Sequence, residues 1–408
     1  VSLAERIDQA FAIDDGKTHG KHAESRDAML ALMDEMPDDR SPERLRLIRG
    51  AAERCSHVGP FEKAIELYRK LAPISNDAGD YFKLSEVLTH GGDHLDESAA
   101  ALKKATELNS SFDTQANREA LRIAQTGQVR RKIGRYPDTK DFHGDFEGLI
   151  RNHIAVNLNS ADKFISEGTS FFTMGSCFAR NIGQALANNG YVSNHMEISE
   201  HINTTFANRM FVDWLRGVDV GADNQDRIVG LLPTGWGNAD LIYKIATSDV
   251  FILTLGVAAA FFDRETGDFV LPRPSALNSR VLAERYRFRT TTVRENVDNV
   301  LHMIGFIRNI SPDIKIVVTV SPVPMLASFE FESAVQADCL SKSTMRLVAH
   351  EVVNNSGLEN IIYWPSFEIF RWAGSNASDY FAADDGAAWH VSENKVDGTV
   401  KAFVGMFS

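Results

Sequence analysis

The residues best placed for chemistry are Ser176 and Cys177. Residues 171–179 read Phe-Phe-Thr-Met-Gly-Ser-Cys-Phe-Ala. An apolar run stops at Gly175, and helical spacing begins directly after it. Ala179, Ile182, Ala185, Leu186 and Asn189 recur at three and four, and Gly190 ends the pattern. A strand that turns this sharply into a helix gathers unpaired N–H groups and the positive end of the helix dipole at the turn. A thiol held there is exposed and its thiolate is favoured. This is the layout of a nucleophile elbow, without the Gly-x-Ser-x-Gly wording. Cys177 is the leading nucleophile and Ser176 the alternative. The bland reading of Cys177 is a buried packing residue, the usual fate of a free cysteine.

A second polar set is Lys342, Ser343 and Arg346, expected at the start of a helix. Lys342 and Arg346 are four apart and share a face. They suit a carboxylate or phosphate on a substrate or acyl carrier, or salt bridges to acidic neighbours.

The elements that must position these groups alternate from residue 168 onward. Strands are expected at 171–174, 250–255, 314–320 and 361–364. Helices are expected near 179–189, 204–216, 292–309, 338–354 and 392–406. Such alternation predicts an α/β domain with a parallel sheet covered by helices on both sides. Ligands of such sheets sit beyond the carboxyl ends of the strands. Gly175–Cys177, Gly256 and Ser321–Pro324 all leave strands at that edge.

Residues 1–125 read as helices throughout. The stretch from Phe61 to Lys70 aligns with Leu95 to Lys104, and Leu47 to Cys55 aligns with Tyr81 to Thr89. The shared offset, about 34, is the period of a tetratricopeptide-like helix hairpin. Gly59-Pro60 and Gly91-Gly92 fall in the turns within repeats. Such a domain offers a surface for a protein partner, or is an ordinary helical domain. Residues 126–165 read as a connector, with a basic cluster at Arg130, Arg131, Lys132 and Arg135. Residues 166–408 form the α/β domain.

Composition narrows the function classes. The 408 residues are 44% hydrophobic and 24% charged, with a net charge of −12. That acidity argues against a general nucleic-acid binder, which needs a basic face. Cys55, Cys177 and Cys339 are far apart and lack metal-ligand spacing, so neither a disulfide framework nor a zinc site is expected. No metal or organic cofactor is signalled. No stretch reaches the ~20 apolar residues of a membrane span, and the polar N-terminus is unlike a signal peptide. The expected compartment is cytoplasmic.

Several blocks carry a family resemblance. They are Gly175-Ser176-Cys177-Phe178-Ala179, Asn203-Thr204-Thr205-Phe206-Ala207-Asn208-Arg209, and Thr254-Leu255-Gly256. There follow Phe262-Asp263-Arg264-Glu265-Thr266-Gly267, Val320-Ser321-Pro322-Val323-Pro324, and Ser341-Lys342-Ser343 with Arg346. Tyr363-Trp364-Pro365-Ser366-Phe367-Glu368 and His390-Val391 complete the order. The set resembles the GSCFA family of the SGNH (GDSL-like) hydrolase group. The resemblance implies a three-layer, flavodoxin-like parallel sheet, here preceded by the all-α tetratricopeptide-like region.

The resemblance also assigns roles. Cys177 occupies the place of the group's nucleophilic serine. His390 matches the base of a closing Asp-x-x-His block. Ala387 stands where that block has its Asp, so Asp385 would have to reach the imidazole through a bulged loop, with Glu368 as a substitute. The group's oxyanion-hole Asn is also missing, because Gly256 is followed by Val257-Ala258-Ala259-Ala260. Backbone N–H groups of Cys177 and Gly256 remain, and Asn203 is a candidate amide donor.

Two functions follow as expectations. One is an acyl-group enzyme, an esterase or acyltransferase, acting on a small-molecule or glycan acyl substrate or a lipid-like ester. A coenzyme A thioester is conceivable as donor for transfer. The other is a weakly active or inactive binding or scaffold protein whose helical domain recruits a partner.

Overall fold

The computed structural model describes residues 2–37, 40–91, 94–126, 134, 136–159, 161–271 and 284–408. Gly92 and the basic cluster of Arg130, Arg131, Lys132 and Arg135 lie outside them. The chain divides into two compact units, residues 1–138 and 139–408.

The first unit is helical: α1 (Leu3–Ala12), α2 (His19–Glu35), α3 (Pro42–Val58), α4 (Phe61–Ser75), α5 (Ala78–Gly91), α6 (Leu95–Leu108) and α7 (Gln115–Thr126). Helices adjacent in sequence pack on one another. Leu47, Ala51 and Cys55 of α3 meet Ala64, Tyr68 and Leu71 of α4 in one buried cluster that reaches Leu88 of α5 and Ala101 of α6. Polar ties also cross this stack, among them Arg49 Nη2 of α3, which donates to Asp80 Oδ2 of α5 at 2.5 Å.

The second unit begins with two short helices, α8 (Thr139–Phe142) and α9 (Phe146–Leu149). Leu149, Ile150 and Ile165 belong to its core, and the N–H groups of Phe164 and Ile165 both donate to the Phe407 carbonyl at 2.9 Å. Residues 139–159 and 161–165, expected as part of a connector, therefore belong to this unit.

The sheet follows: β1 (Ser170–Gly175), α10 (Cys177–Asn188), β2 (Val192–Glu197), α11 (Thr205–Leu215), α12 (Ala222–Leu231), α13 (Asn238–Ala246) and β3 (Val250–Leu255). Three further strands come next, β4 (Ala259–Asp263), β5 (Phe269–Val270) and β6 (Tyr286–Thr290). The chain ends with α14 (Val293–Ile310), β7 (Lys315–Val320), α15 (Ala334–His350), β8 (Ile361–Trp364) and α16 (Glu393–Phe407). The main sheet is all parallel, in the order β2-β1-β3-β7-β8. β5-β4-β6 form a separate antiparallel sheet.

Successive side chains of a strand point to opposite faces, and here both faces are covered. Phe172, Met174, Phe251, Leu253, Ile316 and Val318 enter one core with residues of α11, α14 and α15. Phe171, Val250, Ile252 and Val317 enter another with residues of α10 and α16. This double burial explains why β3 and β7 read as unbroken apolar runs. The register places Gly175, Leu255 and Val320 together at the carboxyl edge. The strand order reverses between β1 and β3, and that crevice is where such sheets hold ligands.

Candidate active site

The elbow at this crevice depends on Gly175. Its φ is +150°, and a Cβ added there would lie 2.7 Å from Thr254 Cβ and 2.8 Å from the Thr254 carbonyl oxygen. Only glycine permits both the conformation and the approach to β3. Ser176 then caps α10 in an extended conformation and is fully buried. Cys177 is the first residue of α10 and half-buried.

Cys177 opens onto a cavity of about 500 Å³. Its polar lining is Cys177, Glu200 and His390. The other walls are apolar. Val257 lies just before β4, and Ala259 and Phe261 contribute alternate side chains within it, as a strand period of two requires. Phe288 of β6 pairs with Phe261 and lines the same space. The loop after β7 adds the stretch from Val323 to Ala327, with Phe329, and Trp389 stands beside His390.

His390 is held by its own loop. Asp385 Oδ1 accepts the Ala387 N–H at 2.8 Å, Gly386 has a φ of +75°, and the His390 N–H donates to the Ala387 carbonyl at 3.0 Å. This tight turn brings Asp385 Oδ2 to 2.5 Å from His390 Nδ1. The imidazole bond, first, and the Ala387 N–H hold the Asp385 carboxyl below the usual carboxylate range. An ionised carboxylate only accepts, so Nδ1 carries the proton and Nε2 is the basic nitrogen.

Glu200 was not singled out from the sequence. β2 runs parallel to β1, and the Ile198 N–H donates to the Gly175 carbonyl at 2.7 Å, so the chain leaving β2 crosses the elbow. Lys342 Nζ, buried to 1% exposure, donates to Glu200 Oε1 at 2.9 Å and to the Gly256 carbonyl at 3.0 Å. Ser321 Oγ donates to Glu200 Oε2 at 3.2 Å. The only sequence signal was a glutamate three residues before the Asn203 block. Its effect on Cys177 opposes the thiolate expected at a helix N-terminus. Burial pushes the Cys177 thiol up, and the Glu200 carboxylate pushes it further, while Arg180 and the Phe178 N–H pull it down.

Residues 170–403, more than half of the chain, match the sequence model of the GSCFA family. The chain belongs to the GSCFA family. No curated protein matches it in sequence. Among solved structures, a carbohydrate esterase family 2 enzyme with a carbohydrate-binding domain, from Corynascus thermopiles (Myceliophthora fergusii), is 13% identical with a TM-score of 0.32, covering 60% of this chain and 67% of that one. A mutant O-GlcNAc transferase of Thermobaculum terrenum is 11% identical with a TM-score of 0.25, covering 100% of this chain and 90% of that one. Likenesses this remote carry no functional argument.

The GSCFA region uses several expected site residues away from the cavity. Lys342 and Arg346 lie in the middle of α15, which begins at Ala334. Both are committed to ion pairs: Lys342 to Glu200, and Arg346 Nε to Glu368 Oε1 at 2.6 Å. Ser343 is exposed. Glu368 also accepts from Tyr363 Oη at 2.6 Å, so this carboxylate is engaged with Arg346 and Tyr363 rather than with His390. Asn203 is fully buried; its Nδ2 donates to the Thr254 carbonyl at 3.1 Å and its Oδ1 accepts from Asn208 Nδ2 at 3.2 Å. It braces the β3 exit instead of lining the cavity. A Cβ on Gly256 would fall 2.3 Å from the Asn203 carbonyl oxygen, so glycine is required for this contact. The GSCFA alanines divide between surfaces, with Ala258 in the main core and Ala259 on the cavity wall.

Proposed function

We propose that the protein is an acyl-group enzyme, an esterase or acyltransferase, with Cys177 as nucleophile and His390 as general base. The observation that carries this reading is the cavity shared by Cys177, at the first position of α10, and by His390, whose Nδ1 is held by Asp385. His390 Nε2 takes the thiol proton as Cys177 Sγ bonds to the acyl carbon. The carbonyl π pair moves onto oxygen, stabilised by the Cys177 N–H, which has no intrahelical acceptor, and by the Gly256 N–H. The carbon–leaving group bond then breaks, and the proton passes from His390 to the departing oxygen or sulfur. Water or an acceptor hydroxyl then attacks the resulting thioester as His390 takes its proton, the carbon–Sγ bond breaks, and His390 returns the proton to Cys177 Sγ. Proton transfer of this kind contributes about 10²–10⁴-fold.

With its pKa raised, Cys177 rests as a thiol, and His390 acts on it during attack instead of holding a preformed ion pair. The strand order β2-β1-β3-β7-β8 supports a flavodoxin-like, SGNH-type sheet. The starts of α4 at Phe61 and α6 at Leu95 support a tetratricopeptide-like helical unit. The acyl acceptor is a glycan or small-molecule hydroxyl, or water.

The test is intact-mass analysis after exposure to activated esters. An adduct that maps to Cys177, is absent in Cys177→Ala and is slowed in His390→Ala supports the reading. No adduct with any ester would move the weight to the second reading, a binding or scaffold protein. The raised thiol and the inward commitment of the Asn203 amide favour that alternative.

A further inference from the structure

Of the three alanines at 258–260, where a polar residue was expected, Ala259 makes room in the cavity. Val257 and Ala259 line the cavity at 1% and 2% exposure and form its buried end. Leu326, Phe329 and Trp389 line it at 63%, 43% and 40% exposure and form its mouth. Between them stand Phe261, Phe288 and Met325. The rings of Phe261, Phe288 and Phe329 lie within 4.7–5.6 Å of each other, centroid to centroid, as one aromatic wall. Among the described residues lining the cavity there is no Lys or Arg, and the one carboxylate, Glu200, is already paired with Lys342.

A cavity of about 500 Å³ falls within the range of ~300–1,000 Å³ that encloses a drug-sized ligand. An acetyl group would leave most of it empty. A chain ending in a carboxylate would lose its water and meet no cation. The geometry points to an uncharged medium-chain fatty acyl group as the substrate moiety, seated with its carbonyl at Cys177 and its tail against Val257 and Ala259. Ala259 sets the length accepted. This assignment rests on the acyl-enzyme reading above for its chemistry, but the chamber itself can be tested without turnover.

The experiment uses the full chain and two readouts. The first is kcat/KM for acetyl, butyryl, hexanoyl, octanoyl and decanoyl nitrophenyl esters. Each methylene that enters the chamber raises it about fourfold, corresponding to ~0.8 kcal/mol per buried CH₂, until the chamber is full. Ala259→Leu lowers the octanoyl-to-acetyl ratio by about tenfold or more. The second is calorimetric binding of octanamide, with acetamide and the half-amide of octanedioic acid as controls. Octanamide binds, both controls bind at least about tenfold more weakly, and Ala259→Leu weakens octanamide. A flat or acetyl-favouring ester profile together with no selective octanamide binding overturns the chamber. Selective octanamide binding without any Cys177 adduct upholds the chamber and sinks the enzymatic reading alone. If Ala259→Leu fails to fold, Ala259→Val on the same two readouts takes its place. An unmoved chain-length ratio and unmoved octanamide affinity in the folded variant overturn the role of Ala259.

Discussion

Asp385 Oδ2 sits 2.5 Å from His390 Nδ1 across a turn made by the Asx bond of Asp385 to Ala387 and the positive φ of Gly386. The carboxylate fixes which nitrogen of His390 is basic. Asp385→Asn should do more harm than Asp385→Ala. An Asn Nδ2 placed there donates, so it favours the tautomer with the proton on Nε2 and removes the base. We expect kcat for ester turnover to fall about a thousandfold in Asp385→Asn and about tenfold in Asp385→Ala. Equal losses in steady-state assays would rule out the tautomer argument.

The pH profile follows from two directions. Asp385 is held below the usual carboxylate range by His390, so its bond is present above that range and is lost only as pH falls through its lowered pKa. Cys177 is raised by burial and by Glu200, so its thiol stays protonated at neutral pH. A raised acid contributes stability that is full below the unfolded thiol pKa and lost as pH rises through the folded one. Iodoacetamide labelling of Cys177 should be slow at pH 7 and climb only in alkaline solution. Labelling that is already maximal below pH 7 would contradict this ordering.

Glu200 and Lys342 offer a sharper test of the same electrostatics. Glu200→Gln removes the carboxylate that opposes ionisation of Cys177 and leaves Lys342 unneutralised nearby. Labelling at a fixed pH should speed up, while stability falls. Breaking one side of a buried pair costs about 3–5 kcal/mol, and Lys342→Met should show a loss of that order in urea unfolding. The double variant Glu200→Gln with Lys342→Met should recover part of it, because no unpaired buried charge is left. Additive losses would mean that the pair is not energetically coupled.

Much of this site was legible in the residues, and what was not has a physical reason. β1, β3 and β7 announced themselves because central strands buried on both faces read as apolar runs, as in Val250–Leu255, and β8 did so through Ile361-Ile362-Tyr363-Trp364. The elbow was legible because Gly175 separates a strand period from a helix period. β2 was missed because Val192-Ser193-Asn194-His195 is exposed to half-buried and shows no apolar run, whereas the other edge strand, β8, has one. Missing β2 meant missing Glu200, which reaches the elbow only through the pairing of β2 with β1. For Lys342 and Arg346 the residues leave a substrate anion and salt bridges both open, because sequence spacing gives their shared face but not its occupants, Glu200 and Glu368. Ala259 read as part of a deficit because a cavity is formed by what side chains do not fill.

Two glycines should tolerate no side chain, for different reasons. Gly175→Ala places a Cβ 2.7 Å from Thr254 Cβ in a conformation with φ near +150°. Gly256→Ala places one 2.3 Å from the Asn203 carbonyl oxygen. Strain and overpacking together should cost about 2–5 kcal/mol in the first case, with overpacking alone, about 1–3 kcal/mol or more, in the second. Chemical denaturation measures both. Wild-type stability in Gly175→Ala would show that the β1–β3 approach is looser than its contacts imply, and in Gly256→Ala that the contact with Asn203 is.

The last relationship concerns the part of the cavity wall formed by the loop after β7. Asp338 of α15 is 3% exposed, and its Oδ1 accepts the Met325 N–H at 2.8 Å. Its Oδ2 takes Arg371 Nη2 at 2.5 Å, and Arg371 Nη1 reaches the Pro322 carbonyl at 3.4 Å. One buried carboxylate thus anchors both ends of the segment that presents Val323 and Met325 to the cavity. Asp338 touches no reacting atom, so it is a positioning residue. Asp338→Ala leaves the Met325 N–H and the Arg371 guanidinium without their partner, and the wall loosens. KM for an octanoyl ester should rise about tenfold while kcat changes much less, since lost positioning weakens binding in the ground and transition states alike. Asp338→Asn keeps an acceptor for Met325 and should fall between wild type and Asp338→Ala. A loss confined to kcat, with KM unmoved, would place Asp338 in the proton chemistry and not in the wall.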